Sequence, residues 1–188
     1  MKLMFKRLIS VFLFRKYVKN NELLQKDINQ TYNVRNCKVD YQSVEKRFYH
    51  LMQNYPEFSF VFLWRINKSD SILKNVFSTQ MMCKIFKSTK IEGGLVCFHP
   101  FSTVINAKSI GENFEFRSNL TIGNKYNDNN LVPIIGNNVT VGANVCIIGS
   151  IEIGDNVVIG AGAVVVNSVP SNSVAVGNPA KVVKKVLQ

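Results

Sequence analysis

The sequence predicts a mainly β chain wound as a parallel β-helix of hexapeptide repeats, preceded by an α-helical N-terminal region. Three observations point there. An aliphatic residue returns at every sixth position, at Ile135, Val141, Ile147, Ile153, Ile159 and Val165. Small or turn-forming residues follow, with Gly136, Gly142, Gly154 and Gly160 next to these positions and Asn137, Asn138, Asn144, Asp155 and Asn156 as further residues tolerant of left-handed backbone. Residues 1 to 82 show no hexad and few glycines. A helix, with its period of about 3.6, and a strand, with its twofold alternation, both fail to produce a sixfold repeat. One short strand plus one turn per hexapeptide does produce it, and three hexapeptides complete one coil. Strands of an ordinary sandwich would alternate in twos between turn signals roughly eight to twelve residues apart.

The N-terminal region, residues 1 to 82, reads as several helices packed on the first coil. Tyr41 to Met52 carries helix-like spacing, while Pro56 and the cluster Asn67-Lys68-Ser69-Asp70-Ser71 mark breaks. Charge divides near the same boundary. Residues 1 to 90 hold 17 Lys and Arg against 6 Asp and Glu, and residues 91 to 188 hold 6 of each, so the net charge of +11 belongs to the N-terminal part. The first twenty residues contain Lys2, Lys6, Arg7, Arg15, Lys16 and Lys19, no acid, and the aromatic residues Phe5, Phe12, Phe14 and Tyr17. Residues 1 to 19 therefore suit peripheral contact with an anionic membrane surface. The competing reading is a solvated basic helix whose Leu and Phe pack on the domain, and the apolar residues do not collect on one clean helical face. Leu8 to Phe14 is too short to span a bilayer, and Arg15-Lys16 follows it where a secretory signal would place a small-residue cleavage site. No nucleic-acid-binding module accompanies the basic stretch.

The repeat region, residues 83 to 176, can be followed backwards from Ile135. Ile122, Phe116 and Ile110 keep the sixfold step, but the step from Ile122 to Ile135 is thirteen. The polar, Asn-rich segment 124–133 supplies the excess and reads as a loop thrown out of one coil. Upstream, Ile85, Ile91, Cys97 and Thr103 repeat at six, which leaves Ile110 one residue late. Residues 177 to 188 form a C-terminal tail.

Few residues are available for chemistry. Cys37, Cys83, Cys97 and Cys146 show no paired Cys-x-x-Cys spacing, which suits a reducing cytoplasm and leaves Cys83, Cys97 and Cys146 as small hydrophobes of the repeat. With His50 and His99 as the two histidines, no histidine-rich zinc site is expected.

From Cys83 to Val186 the chain resembles the hexapeptide-repeat acyltransferases, and within them the serine acetyltransferase branch. The residues that carry the resemblance are Cys97-Phe98-His99-Pro100, Thr103-Val104-Ile105-Asn106, Thr121-Ile122-Gly123, Ile159 to Val165, and Ala175-Val176-Gly177-Asn178-Pro179-Ala180-Lys181. The resemblance implies a left-handed coil, against the usual right-handed crossover rule. It also implies acetyl-CoA as co-substrate without a metal, and a homotrimer with its sites at subunit interfaces. Catalysis would fall to His99, whose neutral imidazole removes the proton of an acceptor hydroxyl as the oxygen attacks the thioester. Pantetheine would lie along the stacked coils at Ala143, Ala161 and Gly162, whose small size permits close approach. Lys181, with Lys184 or Lys185, would meet the CoA phosphates.

The chain departs from the serine-specific pattern at informative places. Serine-specific members read Asp-His where this chain has Phe98-His99, and an Asp and a His of an earlier coil are replaced by Lys84 and Phe86. The Arg-His-Pro of their loop is matched by Leu131-Val132-Pro133. An apolar pair cannot replace an Arg that holds a carboxylate bidentately. The resemblance then points to relatives associated with surface polysaccharide, and to a saccharide hydroxyl as acceptor. Phe98 and Phe101 would wall the sugar, or simply pack, and Arg117 and Ser118 would lie beside His99 on the adjacent rung. The tautomer of His99 could be held by a backbone carbonyl, by Glu92, or by an acid of another subunit such as Asp128. A serine O-acetyltransferase with an altered site and a non-catalytic β-helix scaffold are the alternatives, and a cytoplasmic location, peripheral at the inner membrane face, is the expectation.

Overall fold

The computed structural model describes residues 2–37, 41–69, 71–77 and 81–185, with the backbone alone for residues 2, 3 and 185. Asp70, Val186 and the side chains of Lys2 and Lys185 therefore lie outside the described residues. The chain separates into two compact units, Met1–Met81 with Gly93–Val96, and Met82–Glu92 with Cys97–Gln188.

The first unit is helical. Helix α1 (Lys2–Leu13) runs into a π-helical turn, Phe14–Val18, and is followed by α2 (Glu22–Val34), α3 (Val44–Asn54), α4 (Pro56–Arg65) and the short α5 (Leu73–Phe77). Their starts follow local rules. The Asn21 side chain accepts a hydrogen bond from Leu24 N–H at 3.1 Å and that of Ser43 accepts from Lys46 N–H at 3.3 Å, satisfying donors that a helix N-terminus leaves open. Pro56, expected as a break, occupies the first turn of α4, where its missing N–H costs nothing. Leu13, Val18, Leu24, Ile28, Phe48, Leu51, Phe58, Phe62 and Leu63 form the core, with Phe48 and Phe62 edge to face at 5.0 Å between ring centroids. Buried Asp27 of α2 accepts from Arg65 at 2.9 and 3.2 Å, and from Gly94 N–H and Leu95 N–H at 2.8 Å each. Burial pushes the Asp27 carboxyl upward, and Arg65 is the main group that pulls against it. Those bonds tie Gly93–Val96 to the helices despite its place in the chain. No helix among the described residues is long and apolar enough to cross a membrane.

The second unit is a left-handed parallel β-helix of about five turns. Its three sheets take every third strand. The first contains β1 (Cys83–Ile85), β4 (Thr103–Ile105), β7 (Thr121–Gly123), β10 (Cys146–Ile148) and β13 (Val164–Val165). The second contains β2 (Lys90–Ile91), β5 (Ser109–Ile110), β8 (Ile134–Ile135) and β11 (Glu152–Ile153). The third contains β3 (Val96–Cys97), β6 (Glu115–Phe116), β9 (Thr140–Val141), β12 (Val158–Ile159), β14 (Ser173–Val176) and β15 (Lys181–Lys185). Strand β15 is antiparallel to β14 and covers what would otherwise be an open sheet edge.

Each hexapeptide buries two side chains, the sixfold residue and the one two positions earlier, because residues i and i+2 face the same side of a strand. Val139 with Val141, Val145 with Ile147, and Val157 with Ile159 are such pairs, each residue at most 1% exposed. The glycines and asparagines divide the labour differently from expectation. Gly136, Gly142, Gly154 and Gly160 do not adopt positive φ. Gly136 is required by crowding, since a Cβ there would sit 2.4 Å from the Asp155 carboxylate and 2.9 Å from the Gly154 carbonyl carbon. Positive φ falls instead on Asn113, Asn138, Asn156 and Asn172 at one corner and on Asn119 and Asn144 at another, but not on Asn137 or Asp155. Their side chains form ladders. Asn113 donates to Asn138 at 2.9 Å, Asn138 to Asn156 at 3.0 Å and Asn156 to Asn172 at 2.9 Å, while Asn119 donates to Asn144 at 2.8 Å.

One reading of the repeat is corrected by the strand register. Cys83 pairs with Thr103 and Ile85 with Ile105, so the sixfold residue of that repeat is Ile105, and Thr103 is the inward residue two positions before it. Counting six from Cys97 lands on Thr103, which is also buried, its hydroxyl satisfied by donating to Phe101 O at 3.2 Å. The spacing from Cys97 to Ile105 is eight residues, against six from Phe116 to Ile122 and from Val141 to Ile147.

Candidate active site

Two extra residues in that first coil are His99 and Pro100. Phe98 N–H donates to Phe116 O at 2.9 Å, which aligns Phe98 with Arg117, and Asn119 N–H donates to Phe101 O at 2.9 Å, which aligns Phe101 with Ser118. His99-Pro100 is what lies between, a two-residue bulge at the corner joining the third sheet to the first. Its backbone is constrained. His99 has φ of +49° and Ser102 of +50°, conformations that side-chain-bearing residues seldom adopt, and Phe101 N–H donates back to His99 O at 2.7 Å in a γ-turn-like closure. Pro100 is buried and His99 is exposed, so the bulge anchors itself through the proline and presents the imidazole outward.

The same corner continues through the later coils. Asn144 N–H donates to Ser118 O at 3.0 Å and Gly162 N–H to Ala143 O at 2.9 Å, which places Phe101, Ser118, Ala143 and Ala161 in one column. Ser102, Asn119, Asn144 and Gly162 form the left-handed column beside it, all with positive φ. With strands about 4.8 Å apart, Phe101 and Ala161 are separated by roughly 14 Å along the edge. Side-chain size falls along this column from Phe through Ser to Ala and Ala, leaving an open edge below His99. Gly162 lies at its far end, where an added Cβ would meet nothing within 4 Å. The Gly177–Ala180 turn follows directly, with Val164 N–H donating to Gly177 O at 3.0 Å and Ala180 N–H to Val164 O at 2.8 Å.

Lys181 and Lys184 are exposed on β15. They pair with Val176 and Val174, and a bulge between the pairs at Val174 and Ala175 lets two residues three apart share one face of the sheet. This face is the outer one, because the intervening Ala175 points into the core.

On the strand side of the bulge, Phe98 and Arg117 form a unit. The guanidinium lies 4.8 Å from the Phe98 ring centroid and within 3.2 Å of Glu115 Oε1. Phe101 is 45% exposed beside them. Of the residues named for orienting His99, Glu92 directly follows β2 of the second sheet, and Asp128 Oδ1 accepts from Asn130 N–H of its own loop at 2.8 Å. Lys84 and Phe86 pack on one another, with Nζ 4.7 Å from the ring centroid. The sequence reading missed a cleft of about 570 Å³ at the next corner, lined by Phe86, Lys90, Asn106, Lys108 and, from the 124–133 loop, Asn129 and Val132. All four cysteines are free thiols, and burial pushes that of Cys83 up to about 12, far from a reactive thiolate.

Comparisons with known proteins agree with this architecture. Residues 133–167 match the family model described as bacterial transferase hexapeptide (six repeats). The putative colanic acid biosynthesis acetyltransferase WcaB of Escherichia coli K12 is 48% identical over 85 residues, 45% of this chain and 52% of that protein. The chain thus spans about half the length of that curated relative. The crystal structure of Neisseria gonorrhoeae serine acetyltransferase is similar with a TM-score of 0.71 at 28% identity, over 93% of this chain and 70% of that one. Serine acetyltransferase of Brucella abortus, crystallised with coenzyme A, shares the fold with a TM-score of 0.66 at 22% identity, over 93% and 71% of the two chains. Residues 133–167 thus carry the pattern of the bacterial transferase hexapeptide family, and the proteins the chain resembles are acetyltransferases.

Proposed function

We propose that the chain is an acetyl-CoA-dependent O-acetyltransferase whose acceptor is a saccharide hydroxyl in surface-polysaccharide synthesis, with residues 83–176 as the catalytic domain. The observation that carries this reading is the His99-Pro100 bulge, an exposed imidazole at the head of an edge lined by small residues. His99 removes the acceptor proton, the oxygen attacks the acetyl carbonyl, and the imidazolium then gives that proton to the departing thiolate. A backbone N–H beside the carbonyl stabilises the oxyanion. The open space at Gly162, with Ala143 and Ala161 in the adjacent column, fits pantetheine running along the edge. Lys181 and Lys184 meet the phosphates of CoA as point charges. The coenzyme A complex of the Brucella abortus protein and the naming of WcaB as a putative colanic acid biosynthesis acetyltransferase support the choice of donor and acceptor class.

Phe98 and Phe101 supply apolar faces for a sugar ring, and Arg117 and Ser118 supply polar contacts for its substituents. The protein acts as a homotrimer, in the cytoplasm, with residues 1–19 making peripheral contact with the membrane where lipid-linked saccharides reside. The likeness to serine acetyltransferases over 93% of the chain favours a second reading, serine O-acetylation with an altered site. Lys84, Phe98 and Val132 weigh against it, because none of them supplies the acid or the Arg that a zwitterionic amino acid needs. An acceptor screen read by release of CoA thiol separates the two. Transfer to saccharides with L-serine inert is expected, and rapid turnover of L-serine with saccharides inert would overturn the saccharide reading.

A further inference from the structure

Helix α1 carries two apolar faces. Its inward side buries Ser10 and Leu13, which belong to the helical unit's interior. Its other side holds Met4, Phe5, Leu8 and Phe12, which are 69%, 56%, 64% and 59% exposed. At about 100° per residue these four fall within an arc of roughly 100° pointing away from Leu13. The sequence alone hides this stripe, because the inward and outward apolar residues are interleaved. Only when the buried set is removed does the outward set form one face.

The surroundings of the stripe are cationic. Residues 1 to 19 hold six Lys and Arg and no acid. Lys16 Nζ lies 5.5 Å from the Phe12 ring centroid, so a cation borders the stripe directly. On the Met4 side, a cleft of about 450 Å³ is lined by Met4 and Arg7 of α1, by Tyr41, and by Lys46, Tyr49 and His50 of α3. It brings together the cations Arg7 and Lys46, and since the Tyr49 hydroxyl already donates to Glu45, a phosphate monoanion would be received by these two cations.

We infer that this face docks on an anionic phospholipid surface, with Met4, Phe5, Leu8 and Phe12 entering the acyl boundary and the Arg7–Lys46 cleft receiving a lipid phosphate. Charge selects this occupant over a second copy of the chain, since a twofold pairing of the face would set one acid-free cationic segment against another. The inference deepens the membrane contact proposed above and is independent of the identity of the acceptor. An α1 lying in the interface would hold the repeat unit of the same chain close to saccharides built on lipid carriers.

Cosedimentation of the full chain with vesicles tests it. Binding to equal parts phosphatidylglycerol and phosphatidylcholine, none to phosphatidylcholine alone, and weakening with added salt are expected. The combined change Phe5→Ser, Leu8→Ser and Phe12→Ser should reduce binding at least about tenfold. Its circular dichroism and its CoA-thiol release with a soluble acceptor should stay as in the parent. Should that variant misfold, Leu8→Trp decides, because its fluorescence is expected to shift to the blue and be quenched by brominated lipid. Wild-type protein left in the supernatant, binding that survives the triple change, an unquenched Leu8→Trp, or a triple variant whose oligomer mass falls would each overturn the inference. Vesicle binding as expected in a protein that transfers acetyl to no acceptor would count against the reading of the site and leave this one standing.

Discussion

His99 owes its position to a count of residues more than to its own chemistry. The bulge adds two residues to a repeat that otherwise takes six, and the left-handed backbone at +49° turns the ring outward. The motif Phe98-His99-Pro100 made the histidine legible, but the bulge was not, because buried Thr103 imitates the sixfold residue. The stacking of Arg117 on Phe98 was equally hidden, since the two are nineteen positions apart and only strand register brings them together. Gly162 offers a test at this scale. Gly162→Ala carries the backbone strain of a side chain at φ of +73°, and Gly162→Leu adds bulk in the space assigned to pantetheine. The Leu variant is expected to raise the KM for acetyl-CoA about tenfold over the Ala variant, with kcat for the acceptor less affected. Steady-state kinetics with acetyl-CoA as the varied substrate measures this, and equal KM values would remove the cofactor path from this edge.

The repeat itself was legible at the scale of the element because its period matches neither a helix nor an alternating strand. The asparagine ladders were legible only as residue types. Their hydrogen bonds join residues 16 to 25 positions apart, a relation that exists only once the coils are stacked. Asn138 sits mid-ladder, donating to Asn156 and accepting from Asn113. Asn138→Ala therefore loses two hydrogen bonds and leaves an alanine in left-handed backbone, a cost of about 2 to 3 kcal/mol. Denaturant unfolding followed by circular dichroism should show it, and a loss within experimental error would mean that the ladder is ornamental. Deleting His99 and Pro100 together provides the complementary test. The deletion restores a six-residue repeat, so the fold and its Tm should be kept or improved while acetyl transfer disappears. A lower Tm would show that the bulge serves the coil and not the site.

Across the whole molecule, the division between a basic helical part and a neutral repeat part was visible in composition, but the membership of Gly93–Val96 was not. Asp27 recruits that segment through two backbone donors, from 67 and 68 positions away. Sequence pattern has no access to such a bond, because a lone Asp in a helix looks solvated until its partners are placed. The stripe on α1 escaped for a related reason: burial, not composition, distinguishes its residues from the core. The account of the whole rests on one corner of the β-helix, and His99 is its centre. The most direct measurement is CoA-thiol release by His99→Asn, with oligomer mass and acetyl-CoA binding measured on the same preparation. Asparagine tolerates the left-handed conformation, so the bulge should survive without the base. A fall in turnover of about 10² to 10⁴, with oligomer mass and acetyl-CoA binding as in the parent chain, is the expected result. Turnover close to that of the parent chain would contradict it.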